Sequence, residues 1–115
     1  MSPSTRELLL HILDETTYLI ESVQLLNVRE FLADPTLKRA FARSVEVIGE
    51  AVKFLPADLK DEHPGIDWKA IAGMRDRLIH HYFGVDYEIV WDVAVSKIPE
   101  LDGVIRAMLV RWDGG

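Results

Sequence analysis

The chain has 115 residues, with 13 Lys and Arg against 19 Asp and Glu, so its formal net charge is −6 at pH 7. This length fits a single domain spanning residues 1–115. The absence of cysteine excludes disulfides, thiolate zinc sites and a cysteine nucleophile, and it makes the cytoplasm the expected compartment. The acidic balance argues against a protein that coats nucleic acid by bulk charge. No signal peptide and no membrane span are expected from the sequence.

Two long helices are predicted in the first half of the chain, where apolar residues recur at three-to-four spacing. The segment 4–7 has the form of a capping box and begins the first helix, whose apolar stripe reaches Leu26. Asp34 and Pro35 are typical of an N-cap and a first helical residue, so they begin a second helix, which Pro56 ends.

Two further helices are predicted after a polar connection over residues 57–65. Asp67 begins a third helix that ends near His81, and Asp86 caps a fourth. Pro99 is expected to kink or split this last helix. No alternating strand pattern is present. The predicted fold is therefore all-α, an antiparallel four-helix bundle with the last helix kinked or split at Pro99.

One segment, residues 73–84, concentrates charged and titratable side chains at the end of the third helix. Asp76 and His80 are four residues apart, so the carboxylate can reach the imidazole. Arg75 and His80 are separated by about 140° on an ideal helix. These two side chains converge only if the helix end unwinds, if the arginine bends round, or if a second subunit supplies the complement.

These residue types fit cleavage of RNA without a metal ion. The 2′-hydroxyl of RNA is its own nucleophile, and His80 titrates in the range needed to move its proton. Arg75 offers a planar fork that fits a phosphate, and Asp76 can orient His80. Lys69 and Arg77 either lengthen a basic strip for RNA or are simply solvated. No spacing in the sequence predicts a metal site, and no cofactor is expected.

The same segment also fits an ordinary solvent-exposed helix end. A histidine near a helix C-terminus is favoured by the macrodipole whatever its function. The pairs Asp76–His80 and Arg77–His81 have the four-residue spacing of common surface pairs. The residues by themselves leave both interpretations open.

The order of Arg75, His80 and Tyr82 resembles the signature of the HEPN superfamily, and most closely its HepT-like branch. The resemblance continues through the segment 82–91, YFGVDYEIVW, and it covers residues 5–112. It implies an all-α homodimer in which the motifs of both subunits face one cleft. Arg75 and His80 match the catalytic pair of the family, and Asp76 occupies a position that is commonly polar.

The resemblance also implies a biological context. HepT-like members are metal-independent ribonucleases that act as toxins of type II toxin–antitoxin pairs. The usual partner is an MntA-like nucleotidyltransferase antitoxin, which adenylylates the motif tyrosine, here Tyr82. The expected partners are thus RNA, this antitoxin and a second copy of the chain. The alternative is a non-catalytic helical subunit that binds nucleotide or substrate for a minimal nucleotidyltransferase.

Overall fold

The computed structural model describes residues 3–79 and 84–113. All regular structure in these two ranges is helical, so the predicted all-α class is confirmed. The helices are α1 Thr5–Val23, α2 Val28–Ala33, α3 Pro35–Lys53, α4 Ala57–Asp61, α5 Trp68–Ala72, α6 Met74–Ile79, α7 Tyr87–Asp92 and α8 Ile98–Asp113, with a π-helical turn at Val93–Lys97. The described chain is divided into more pieces than the four predicted helices.

The predicted N-caps of the two long helices are present. The Ser4 side chain accepts the backbone N–H of Glu7 at 3.1 Å. The Glu7 carboxylate accepts a hydrogen bond from the Ser4 hydroxyl and not from the Ser4 backbone N–H, so only half of the predicted capping box is formed. Asp34 accepts the backbone N–H groups of Thr36 and Leu37, and Pro35 is the first residue of α3. These caps satisfy donors that would otherwise have no partner within the helix.

Helix α2 is a difference from the prediction, which continued the first stripe to Leu26. The chain leaves the helical conformation after Val23, and a full capping box between Asn27 and Glu30 begins a new helix. Six residues are too few for a stable isolated helix, so tertiary contacts must hold α2 in place. Phe31 provides them: its ring is fully buried and lies 4.7 Å from Phe41 and 5.2 Å from Trp91, between ring centroids.

The predicted third helix begins where expected, since Asp67 accepts the backbone N–H of Ala70 at 3.0 Å. It is divided at Gly73 into α5 and α6. The hydrogen-bond ladder nevertheless continues across the division, because the N–H of Gly73 bonds to Lys69 and its carbonyl accepts the N–H of Arg77. The predicted end of this helix near His81 lies outside the described residues.

The C-terminal segment is helical from α7 to α8, and Asp86 caps α7 as predicted. Its irregular turn lies before Pro99, which itself falls in the first turn of α8. The N–H of Ile98 bonds to the carbonyl of Val93, five residues back, which is the spacing of a π-helix. The four-helix arrangement and a kink at Pro99 stay predictions.

The core lies where α1 packs against α3 and α8, while α3 also contacts α5, α6 and α7. Its fully buried side chains include Leu9, Ile12, Leu19, Phe41, Val45, Ile48, Leu101, Ile105 and Met108. Polar contacts also join α1 to its neighbours, and two of them are 2.7 Å long: the Thr16 hydroxyl donates to Asp102, and the Ser44 hydroxyl donates to Glu15. None of the described helices is long and apolar enough to span a bilayer.

Candidate active site

Arg75 is the predicted catalytic residue that the structure describes most fully. It lies in the first turn of α6, and 46% of its side chain is exposed. Its Nη1 atom donates a hydrogen bond of 3.1 Å to Oε1 of Glu50 on α3. The guanidinium therefore has one fixed contact while remaining open to solvent and to a substrate phosphate.

Gly49 lies where α3 comes close to the end of α5, just before α6 begins. A Cβ atom at this position would lie 3.0 Å from the carbonyl oxygen of Ile71 and 3.6 Å from that of Ala72. The two backbones therefore meet almost directly, and any side chain at this position would force the neighbouring backbone to shift. Since Glu50 follows Gly49, the contact places its carboxylate beside Arg75.

Glu50 also binds Lys53, whose Nζ atom donates to the same oxygen, Oε1, at 3.1 Å. These hydrogen bonds, first from Lys53 and then from Arg75, hold the pKa of Glu50 below its ordinary value. Sequence reasoning assigned no role to Glu50 or Lys53. The glycine before Glu50 is a local sign of a close helix contact but not a sufficient one, since Gly103 in α8 has nothing within 4 Å of a Cβ built at its position.

The other predicted RNA-contacting residues are exposed, but they do not all face the same way as Arg75. Arg77 lies along a groove of about 340 Å³ between the α5–α6 region and the segment from α7 to α8. Lys97 and Glu100 line the same groove, together with Ile66, Met74, Leu78, Ile89 and Val93. Arg75 thus bonds to α3, whereas Arg77 lines the groove next to α7 and α8. Lys69 on α5 and Asp76 on α6 are exposed.

The remaining motif residues, His80, His81 and Tyr82, lie outside the described residues. The predicted pairs Asp76–His80 and Arg77–His81 therefore stay predictions, as does the convergence of Arg75 with His80. What the structure shows is a solvent-accessible guanidinium with an acidic partner, five residues before the histidine in sequence; its catalytic role stays a prediction.

Comparison with protein families gives a match over almost the whole chain. The model of the family described as "Ribonuclease HepT-like" matches residues 12–108, which include every residue of the candidate site. The chain belongs to the HepT-like ribonuclease family. This confirms the family predicted from the motif and, with it, the enzyme class.

Similar proteins come from several organisms. "Putative RNase TTE0752" of Caldanaerobacter subterraneus is 50% identical over 106 residues, which are 92% of this HepT-like chain and 95% of the relative. "Putative RNase MJ0127" of Methanocaldococcus jannaschii is 43% identical and covers 88% of this chain and 87% of its own. "Probable ribonuclease HepT" of Thermococcus cleftensis is 47% identical over 64% of this chain and 67% of its own. No solved structure matches the chain significantly.

Proposed function

We propose that this HepT-like protein is a metal-independent endoribonuclease and the toxin of a type II toxin–antitoxin system, active in the cytoplasm as a homodimer. The observation that carries the proposal is the family match over residues 12–108, which spans the complete segment from Arg75 to Tyr82. The exposed guanidinium of Arg75 supports it, because a substrate phosphate can reach this side chain from solvent.

The proposed reaction uses the 2′-hydroxyl of the RNA as nucleophile. His80 moves protons: one leaves the 2′-oxygen as it attacks the phosphorus, and one joins the 5′-oxygen as its bond to phosphorus breaks. The products are a 2′,3′-cyclic phosphate and a free 5′-hydroxyl. Arg75 stabilises the charge that develops on the phosphoryl oxygens. Asp76 orients His80, and Arg77 and Lys69 bind the RNA backbone away from the reacting phosphate.

The dimer answers a geometric difficulty within one chain. Arg75 and His80 are separated by about 140° on a regular helix, so a single copy does not bring them together without distortion. Two copies related by a two-fold axis place both motifs at one cleft, where the residues of one copy complement those of the other.

The test is cleavage of RNA by purified, unmodified protein in the presence of EDTA. We expect His80→Ala to lower the rate by about 10²–10⁴-fold and Arg75→Ala by about 10²–10³-fold. Arg43→Ala is a matched control, since Arg43 is an exposed arginine of α3 whose partner is Glu46 at 3.7 Å; its rate should equal that of the wild type. Circular dichroism checks that each variant folds.

Two results would contradict the ribonuclease proposal. One is an His80→Ala protein that arrests cell growth as strongly as the wild type does. The other is a wild-type protein that cuts no RNA while still forming a complex with a nucleotidyltransferase. The second result favours the alternative, a non-catalytic subunit that binds nucleotide or substrate for its partner.

Regulation is proposed to occur at Tyr82, by adenylylation from an MntA-like nucleotidyltransferase antitoxin. The added phosphate would lie seven residues from Arg75, on the same side of a regular helix, where it competes with substrate phosphate for the guanidinium. Incubation with the partner and ATP should add the mass of AMP to the wild type and leave the mass of Tyr82→Phe unchanged. Tyr87→Phe is the control for the neighbouring tyrosine and should gain AMP as the wild type does. Unchanged wild-type mass, or addition at another residue, would exclude this mechanism.

A further inference from the structure

One carboxylate oxygen, Oε1 of Glu50, accepts hydrogen bonds from two cations on different helices. Nη1 of Arg75 on α6 and Nζ of Lys53 on α3 each lie 3.1 Å from it. The two cationic nitrogens are therefore no more than twice this distance apart. Two positive charges and one negative charge leave this group, the Glu50 cluster, with a net charge of +1 in a chain of net charge −6.

The geometry leaves both cations able to bind an anion. A guanidinium has five N–H donors and an ammonium has three, so a single contact with Glu50 occupies only part of each. The side chains of Arg75 and Lys53 are 46% and 40% exposed. In the described part of the chain, Glu50 is the one carboxylate within ion-pair distance of either cation. A phosphate can therefore bridge the two cations without first displacing another acid.

The cluster differs from an ordinary surface pair on the same helix. Arg43 and Glu46 lie about two turns and one turn before Glu50 on α3, are 3.7 Å apart and connect no second helix. Exposed pairs of that kind contribute little to stability. The contact between Glu50 and Arg75 instead spans 25 residues of sequence and lies at the close approach made by Gly49. Its place is set by the backbone, so it can fix the direction of the guanidinium.

We propose that Glu50 is a positioning residue that orients Arg75 towards the scissile phosphate, and that Lys53 is a second cation that binds RNA phosphate beside it. This inference rests on the proposed ribonuclease function. Glu50 holds one edge of the guanidinium fork and reduces its rotation, since an unrestrained arginine would sample many orientations between substrate encounters. Lys53 adds a local attraction for the RNA backbone to a chain whose overall charge is negative.

The test for Glu50 separates kcat from KM. Glu50→Ala frees the guanidinium but also removes a negative charge, so we expect kcat to fall by about 10–100-fold while KM stays equal or falls. Glu50→Gln retains an oxygen acceptor and should recover most of kcat. The matched control is Glu46→Ala, which removes the same charge from the same helix, one turn away, and should leave kcat unchanged. Equal kcat values for Glu50→Ala and Glu46→Ala would overturn the positioning role.

The test for Lys53 is the dependence of KM on salt. Lys53→Ala should raise KM at unchanged kcat and reduce the slope of log KM against log salt concentration by about 0.7, the value for one phosphate contact on a single strand. Lys53→Arg keeps the charge and should restore both quantities. An unchanged salt slope in Lys53→Ala would show that Lys53 does not bind RNA.

A second measurement keeps this inference separate from the ribonuclease proposal. In nitrogen-15-labelled protein, NMR of the Arg75 Nε–Hε group reports how freely the guanidinium rotates, and the measurement is made while a short 2′-deoxy RNA analogue is added. Restricted rotation of the guanidinium in the wild type and in Glu46→Ala, but not in Glu50→Ala, would support positioning even if no RNA is cut. A guanidinium that rotates equally freely in all three proteins would contradict it.

Discussion

At the scale of single residues, the candidate site depends on how Arg75 is held. The catalytic role of Arg75 is predicted from the chemistry of the guanidinium and from the resemblance to the HepT-like signature. Its acidic partner is not, because Glu50 is 25 residues away in sequence and belongs to another helix. A contact of this kind follows from the packing of α3 against α6, and no local pattern specifies it.

The titration of Glu50 provides a residue-scale prediction. Because Lys53 and Arg75 favour its charged form, the pKa of Glu50 lies below the ordinary value, and both contacts persist at neutral pH. They weaken as the pH falls through this lowered pKa, when the carboxyl group takes up a proton. Carbon-13 NMR of the Glu50 carboxyl should show a titration midpoint, and hence a pKa, below the ordinary value for glutamate.

Single variants should move this midpoint in a fixed order. Lys53→Ala is expected to raise the pKa of Glu50 more than Arg75→Ala does, since the Lys53 hydrogen bond is the larger cause of the shift. Arg43→Ala should not move it. A wild-type midpoint at or above the ordinary value for glutamate would mean that the two cations do not bind this carboxylate in solution.

At the scale of helices, the contact at Gly49 determines where the site lies. Glycine inside a helix costs stability relative to alanine, and at Gly49 a close backbone contact offsets this cost. The carbonyl oxygen of Ile71, 3.0 Å from the place a Cβ would occupy, makes this contact. The division of the third predicted helix at Gly73 lies directly beside this contact.

A pair of glycine variants tests this contact. Gly49→Ala should lower the free energy of unfolding by about 1 kcal/mol, because the added methyl group pushes against backbone and moves α5 and α6 away from α3. Gly103→Ala in α8 has nothing within 4 Å of its new Cβ and should raise stability by about 0.5–1 kcal/mol.

Urea denaturation measures both values, and the RNA cleavage assay should show reduced activity for Gly49→Ala while Gly103→Ala stays at the wild-type level. If both substitutions stabilise the protein equally, the close approach at Gly49 does not constrain the helices.

At the scale of the whole molecule, the proposed site needs two copies of the chain. The chain carries a net charge of −6, so binding of RNA depends on local cations and not on overall attraction. The proposed dimer would place two Arg75 side chains and two His80 side chains at one cleft, and so double the local positive charge.

Mixed dimers provide the whole-molecule prediction. Arg75→Ala and His80→Ala should each be inactive as pure proteins. When they are unfolded together and refolded, or coexpressed, heterodimers should contain one intact site if Arg75 of one copy acts with His80 of the other. With random pairing, about half of the dimers are heterodimers and each keeps one of its two sites, so roughly a quarter of the wild-type rate should return. The absence of any restored activity in a mixture shown to contain heterodimers would exclude a site shared in this way.

Much of this protein follows from sequence by itself. The helical class, the caps at Ser4, Asp34, Asp67 and Asp86, and the ribonuclease family are all local or patterned properties. A cap depends on residues within one turn, and a family motif depends on fixed spacing, so neither needs a distant part of the chain to be known.

Tertiary structure decided the rest. Helix α2 exists because Phe31 is buried against Phe41 and Trp91, and the junction at Gly73 lies where α3 approaches the backbone of α5. Glu50 and Lys53 join Arg75 only through that approach. These features are fixed by hydrophobic burial and by backbone contacts between segments far apart in sequence. The energies of such contacts depend on which surfaces meet, and helical periodicity does not specify that.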